Sequence, residues 1–470
     1  MTSPNPNFRH PTLQLLQKCK TLTTLKQIHA QMIQSTLTLH TYPLSKLLYI
    51  SSTLHIPHTL SIFNQIQNPT IFLFNTLISS FANQTQRTHL AFSLYNSLLC
   101  HNSVKPNSYT YPSLFKACGL HPWVQYGLPL HTHVVKFLEP VYDQFVQASL
   151  VNYYANIGKL SLARYIFDQI SKPDLATWNC ILAAYARNAI LSFETLSLFN
   201  TMQNSEVKPN EVTFVALISA CANLGALSEG AWAHVYILKS NNLRLNSYVG
   251  TSLIDFYSEC GFLGIAHQLF DKLSQRDTLC YSLLGRRKYN AMIGGFAIHG
   301  FGHKALDLYE NMRLEGFVPD NATFIVTMCA CSHVGLVEEG CEIFESIKKV
   351  YGVEPTLEHY GCVVDLLSRA GRFTDVKDRV ESMPMKPNAI IWRSILGGAR
   401  IYGELEMGEF ALKQLMEVEP ETSGNYVLLS NMYASIDKWE DVKRVRKLMK
   451  DHGVIKMPGN SLVDRNLFEG

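Results

Sequence analysis

The sequence predicts an all-α fold, a right-handed α-solenoid of helix-turn-helix repeats. Three observations predict it. Apolar residues recur at i, i+3, i+4 and i+7, the spacing of one face of a helix. The same three segments return in fixed order about every hundred residues, the mark of a repeat array. Glycine and proline punctuate those segments at matching places.

The first helix of one kind of unit reads FNTLISSFA (74–82), WNCILAAYA (178–186) and YNAMIGGFA (289–297). Its apolar face is Leu77, Ile78 and Phe81 in one copy, and Ile181, Leu182 and Tyr185 in another. A second kind reads TYPSLFKACG (110–119), TFVALISACA (213–222) and TFIVTMCACS (323–332). The third reads QASLVNYYANIGKLSLARYIFDQI (147–170), GTSLIDFYSECGFLGIAHQLFDKL (250–273) and YGCVVDLLSRAGRFTDVKDRV (360–380). Cys19, Cys118, Cys221 and Cys331 are separated by 99, 103 and 110 residues. Three hairpins of roughly 34 residues make one such period. Gly158, Gly261 and Gly371 turn the chain between two helices. The second helix then carries Ala163, Ile166 and Phe167, or Ala266, Leu269 and Phe270. Small Ala permits close approach, and the aromatic fills the gap to the next unit. Pro69, Pro106, Pro173, Pro209, Pro319, Pro355 and Pro387 end the units, because a residue before proline leaves the helical region. A lone hairpin cannot bury both apolar faces, so the hairpins must stack.

Composition agrees with a packed chain. Of 470 residues, 47% are hydrophobic and 17% charged, which excludes intrinsic disorder. No run of about 18 apolar residues occurs, so no membrane partner is expected. The net charge of +3 hides an asymmetry. No Asp or Glu precedes Glu139, whereas residues 1–138 hold nine Lys or Arg, which leaves 32 basic and 38 acidic residues beyond. An acid-free basic segment suits phosphate attraction and equally suits an organellar address. None of the eleven cysteines forms a Cys-x-x-Cys pair, which argues for free thiols in a reducing compartment.

These segments resemble the pentatricopeptide repeat family in its plant PLS form, where standard (P), long (L) and short (S) motifs alternate. The aromatic-Asn starts, the ends Lys208-Pro209-Asn210 and Pro319-Asp320, and the long-motif second helices around His29 and His131 carry the resemblance. It divides the chain into a short targeting segment (1–8), a repeat tract (9–388), TPR-like E1 and E2 motifs (389–456) and a truncated tail (457–470). Within the tract an L-like start runs to His40 and an S unit to Thr70. Then follow P 71–107, L 108–143, S 144–174, P 175–210, L 211–246, S 247–277, P 278–320, L 321–356 and S 357–388. E1 takes 389–422 and E2 423–456. The stretches 358–372, 386–409 and 423–459 resemble the last S, E1 and E2 motifs, as in the E subgroup.

The resemblance implies a site-recognition factor for cytidine-to-uridine editing of transcripts in the mitochondrion or chloroplast. It implies single-stranded organellar RNA as partner, a deaminase-domain protein acting in trans, and further editing factors. RNA-reading helical repeats present one base to two or three side chains per unit. The family's reading positions are the fifth and last residues of P and S units. They are Asn75 with Asn107, Asn179 with Asn210, Thr251 with Asp277, and Asn290 with Asp320. The family's rules give pyrimidine, pyrimidine, guanine and uracil, hence 5′-Y-x-x-Y-x-G-U-x-x-3′. Ala148 with Asp174 and Gly361 with Asn388 lack a specifying fifth residue, and Pro112, Val215 and Ile325 in long units are apolar there. Each Asn or Asp can equally be a helix cap or turn residue, so both roles stay open.

Catalytic, metal and cofactor residues are not expected. A zinc deaminase needs His-x-Glu and Pro-Cys-x-x-Cys, and neither occurs. Cys118 with His131 and Cys221 with His234 share a spacing, but one pair per unit falls short of the four ligands zinc takes. Two departures from the family pattern stand out. YSLLGRRK (281–288) reads as an inserted basic loop that offers Ser282 as a competitor to Asn290, and Leu462 stands where relatives tend to carry Trp. A TPR-like protein-binding scaffold and an RNA binder for transcript stability or splicing are the alternative functions.

Overall fold

The computed structural model describes residues 10–101, 103–119, 123–138, 143–240, 242–276, 283–420 and 422–454. Among them lie 26 α-helices and no strand. The segments 1–8 and 457–470, with Leu462, and the residues Asp277 and Ser282 lie outside the described residues.

The helices pair as antiparallel hairpins. One hairpin is Ile71–Ala82 with Thr88–Leu99, another Leu175–Ala186 with Ser192–Gln203, and another Ser247–Glu259 with Leu263–Arg276. The chain falls into two compact units, residues 1–220 and 221–470. In each unit the first helices of successive hairpins pack side by side as one layer, with second helices behind their own first helices and in several hairpins, such as Gly302–Leu314 on Asn321–Val334, against the next one as well. That is the stacking a solenoid requires.

Gly158, Gly261 and Gly371 make the expected turns with φ of 76°, 81° and 72°, a region that costs a side-chain-bearing residue energy. The predicted faces are buried, from Leu77, Ile78 and Phe81 to Ala266, Leu269 and Phe270. Between hairpins the joint is aromatic. Phe63 meets Phe74 at 5.0 Å, Phe167 meets Trp178 at 4.7 Å and Phe270 meets Tyr289 at 5.0 Å, all edge to face. Each such pair contributes about 0.5–1.5 kcal/mol beyond the area it buries. Phe199 with Phe214 and Phe344 with Tyr360 repeat the joint at other junctions.

The expectation of a basic loop over 281–288 is corrected. Residues 283–288 are helical and open Leu283–Ile298, a helix of 16 residues where its sisters Ile71–Ala82 and Leu175–Ala186 have 12. Leu, Arg and Lys are good helix formers. The buried Lys288 further holds its ammonium 5.0 Å from the Phe270 ring and 5.3 Å from the Tyr289 ring.

Candidate functional site

Each hairpin's first helix is entered through a loop that its predecessor ends, so the last residue of one unit lies beside the next helix. Asp174 accepts the Thr177 N–H at 2.8 Å, and Asn388 accepts the Ile391 N–H at 3.1 Å, both as N-caps. Capping is therefore one role of these terminal residues.

Where the fifth residue of the preceding unit is Asn, capping is joined by a second interaction. Asn179 lies within the helix Leu175–Ala186 and donates its Nδ2 to Asn210 Oδ1 at 3.1 Å. The Thr213 hydroxyl donates to Asn179 Oδ1 at 2.6 Å and to Asn210 Oδ1 at 3.1 Å, and accepts the Asn210 N–H at 3.1 Å. The Thr213 N–H also donates to Asn210 Oδ1 at 3.1 Å, which fixes the orientation of that amide. Three side chains from two successive units thus close a small network around a buried Thr.

The same trio recurs. Asn75 donates to Asn107 at 2.9 Å, and Thr110 donates to Asn75 at 2.8 Å. Asn290 donates to Asp320 at 3.2 Å, and Thr323 donates to Asn290 at 2.8 Å. The structure thereby brings together three of the four residue pairs named from the sequence. For the fourth, Thr251 donates its hydroxyl to the Ser247 carbonyl at 2.7 Å, and Asp277 is outside the described residues.

The trios leave one group exposed to use. With Oδ1 of Asn107 and Asn210 engaged, their Nδ2 donors take no partner among the described residues. Such a donor suits an acceptor on a base edge, as pyrimidines present at O2. Asp320 differs. Its Oδ1 accepts from the Thr323 N–H at 3.0 Å and the Thr323 hydroxyl at 2.9 Å, and its Oδ2 forms an ion pair with Arg286 Nε at 2.8 Å. Burial alone would raise this carboxyl's pKa, but the Thr323 and Asn290 hydrogen bonds and the Arg286 charge outweigh it and hold the value low.

Two features escaped the sequence reading. The Thr of each trio opens the recurring segments TYPSLF, TFVALI and TFIVTM, so the signal was present without an assigned role. The second is a stripe of exposed apolar side chains at the second residue of the units: Phe72, Tyr109, Phe145, Val212, Tyr248 and Ile390. They are 50 to 72% exposed, unlike the other apolar positions of these helix starts. An exposed apolar side chain at this place in six of the units, aromatic in four of them, offers a stacking surface for an unstacked base.

The paired Cys and His residues pack. His131 meets the Tyr154 hydroxyl at 2.8 Å and His234 the Tyr257 hydroxyl at 3.1 Å. Cys118 and Cys221 are buried, and burial pushes each thiol up to about 12.

The chain matches the model of the PPR repeat family at residues 69–119, 173–223 and 288–333, and that of the E motif at 402–464. It is 56% identical to "Pentatricopeptide repeat-containing protein At5g43790" of Arabidopsis thaliana, over 99% of this chain and 100% of that protein. It is 36% identical to the same plant's "Pentatricopeptide repeat-containing protein At1g59720, chloroplastic/mitochondrial", over 98% of this chain and 73% of the relative. Among solved structures it is similar to the pentatricopeptide repeat protein PPR10 in complex with an 18-nt psaJ RNA element. That match has a TM-score of 0.66 at 16% identity and covers 90% of this chain. The chain spans 63% of the length of that structure.

Proposed function

The chain belongs to the pentatricopeptide repeat family, and from that membership we propose that it is a sequence-specific single-stranded RNA-binding protein. It serves as site-recognition factor for cytidine-to-uridine editing of organellar transcripts, with the deaminase supplied by a partner. The observation that carries this reading is the recurring trio. A fifth-position Asn is locked by Thr and by the unit's last residue, which leaves the Nδ2 donors of Asn107 and Asn210 for base edges. In the unit 71–107 the exposed Phe72 adds a stacking surface beside the trio, and further units carry an exposed apolar side chain at the same place. Recognition of single-stranded RNA by stacking and base-edge hydrogen bonds needs both parts.

The proposed readers are Asn75 with Asn107, Asn179 with Asn210, Thr251 with Asp277, and Asn290 with Asp320. An E motif at 402–464 supports the editing role, since the E-subgroup resemblance is what implies it. The relative whose name includes chloroplastic/mitochondrial supports an organelle as the place of action.

Gel-shift titration of the full chain tests the reading. RNA of the pattern Y-x-x-Y-x-G-U-x-x is expected to bind at least about tenfold tighter than one with purines at both Y positions, the worth of one or two net hydrogen bonds. Equal affinity for the two RNAs defeats the assigned readers. If loss of the gene leaves every organellar cytidine-to-uridine site edited as before, the editing role falls even with RNA binding intact.

A further inference from the structure

Position 286 distinguishes the unit 278–320 from its sisters. Four residues before Asn75 and Asn179 stand Ile71 and Leu175, each at the start of its helix. Four residues before Asn290 stands Arg286, in the extra turn that the segment 283–288 adds to Leu283–Ile298. One helical turn places residues i and i+4 on the same face. Arg286 therefore projects on the side of Asn290 and reaches that residue's partner, with its Nε 2.8 Å from Asp320 Oδ2. Its Nη1 also lies 3.4 Å from the Val318 carbonyl. The neighbouring Arg287 turns to the preceding unit, where its guanidinium lies 5.8 Å from the Tyr248 ring and 3.3 Å from the Tyr248 hydroxyl.

We propose that Arg286 is a specificity-determining residue that withdraws the Asp320 carboxylate from base reading. The proposal rests on the reading of the trios as RNA contacts. Oδ1 of Asp320 is consumed by Thr323 and Asn290, so Oδ2 is the oxygen left to accept an N–H from uracil N3 or guanine N1. Arg286 sets its guanidinium charge against that oxygen as an ion pair, without a hydrogen bond from Nε, and offsets the negative charge. The unit that carries an Asn–Asp pair, the combination expected to read uracil, thus presents an acceptor whose charge is already met by a cation. An Arg in the sister units would meet Asn107 or Asn210 and find no charge to pair with. The device therefore works at this unit alone among the three.

The experiment uses the full chain and labelled RNA of the pattern Y-x-x-Y-x-G-N-x-x, with N as uracil or cytosine. Wild type is expected to bind the two within about threefold of each other. Arg286→Leu, which installs the residue type found at 175, is expected to favour uracil by about tenfold or more, the worth of one hydrogen bond to a carboxylate. Arg286→Gln gives the same direction and guards against misfolding of the first variant. Asp320→Asn on the Arg286→Leu background is expected to abolish the gain. A wild type that already favours uracil tenfold, with Arg286→Leu unchanged, overturns the proposal. A pyrimidine-to-purine change at the second Y, opposite Asn179 and Asn210, is the internal control. If it weakens wild-type binding while the Arg286 variants respond like wild type at N, only the Arg286 proposal falls. If neither position discriminates in any variant, the RNA reading falls and takes the proposal with it.

Discussion

At Thr213 one hydroxyl serves two neighbours, accepting from the Asn210 N–H and donating to Asn179. Thr213→Val keeps the shape and removes both bonds, leaving a polar oxygen of Asn179 without its donor. The expected cost is about 1–3 kcal/mol of stability, read as a lower melting temperature, together with loss of pyrimidine preference opposite this unit. An unchanged melting curve and unchanged preference would show that the trio has no such role. Histidine supplies the pH dependence. His359 is buried, accepts the Thr356 N–H at Nδ1 and directs Nε2 at the Asn321 carbonyl. Burial lowers its pKa below the ordinary 6.5, against the smaller opposing pull of the Asn321 carbonyl and Glu358. Burial acts in the same direction on His131 and His234. Such groups stay neutral in the fold and take up protons on unfolding. Stability is therefore full above about pH 6.5 and declines below it. Thermal melts from pH 7.5 to 5 should show that decline, and His359→Gln, which does not titrate, should lessen it.

The second helices differ in how closely they approach the next hairpin. In Leu227–Lys239, a Cβ on Gly230 would lie 2.2 Å from Phe256 Cζ, so this glycine is what lets the helix sit against that ring. In Leu263–Arg276, a Cβ on Gly264 would meet nothing within 4 Å. Gly230→Val is expected to cost roughly 1–3 kcal/mol by overpacking. Gly264→Ala should be neutral or gain up to about 1 kcal/mol from helix propensity. Melting temperatures that shift alike in the two variants would contradict the close-approach role. Helix length was the element-scale surprise. The segment 283–288 reads as an insert when aligned with its sisters. Its Leu, Arg and Lys nevertheless extend the helix, because Lys288 finds two aromatic rings to lie against.

Across the whole chain, charge is distributed unevenly, with no acidic residue before Glu139. If that segment meets the RNA backbone, affinity must fall with salt. Each phosphate contact to a single strand contributes a slope of about −0.7 in log affinity against log salt. Lys105 and Lys116 are exposed, and replacing both by Gln should make that slope shallower by up to about 1.4. A slope that the double variant leaves unaltered would remove these two lysines from the interface.

The sequence by itself determined the helical hairpins, their order and the aromatic joints between them. Periodicity, turn glycines and stop prolines are local signals, and each unit repeats them. It also named Asn75, Asn107, Asn179, Asn210, Asn290 and Asp320, because positions within a repeat can be counted. What it left open was cap against reader, and the structure shows the cap: Asn210 and Asp320 cap through Oδ1 while also pairing with the preceding unit's Asn. Thr213 and its sisters went unassigned because their role is a bond to a residue 34 positions earlier, across two units. Only the tertiary structure could decide that, and only it could turn Arg286 from a loop cation into the partner of Asp320. A helix fixes where a side chain points, whereas a loop of the same composition does not.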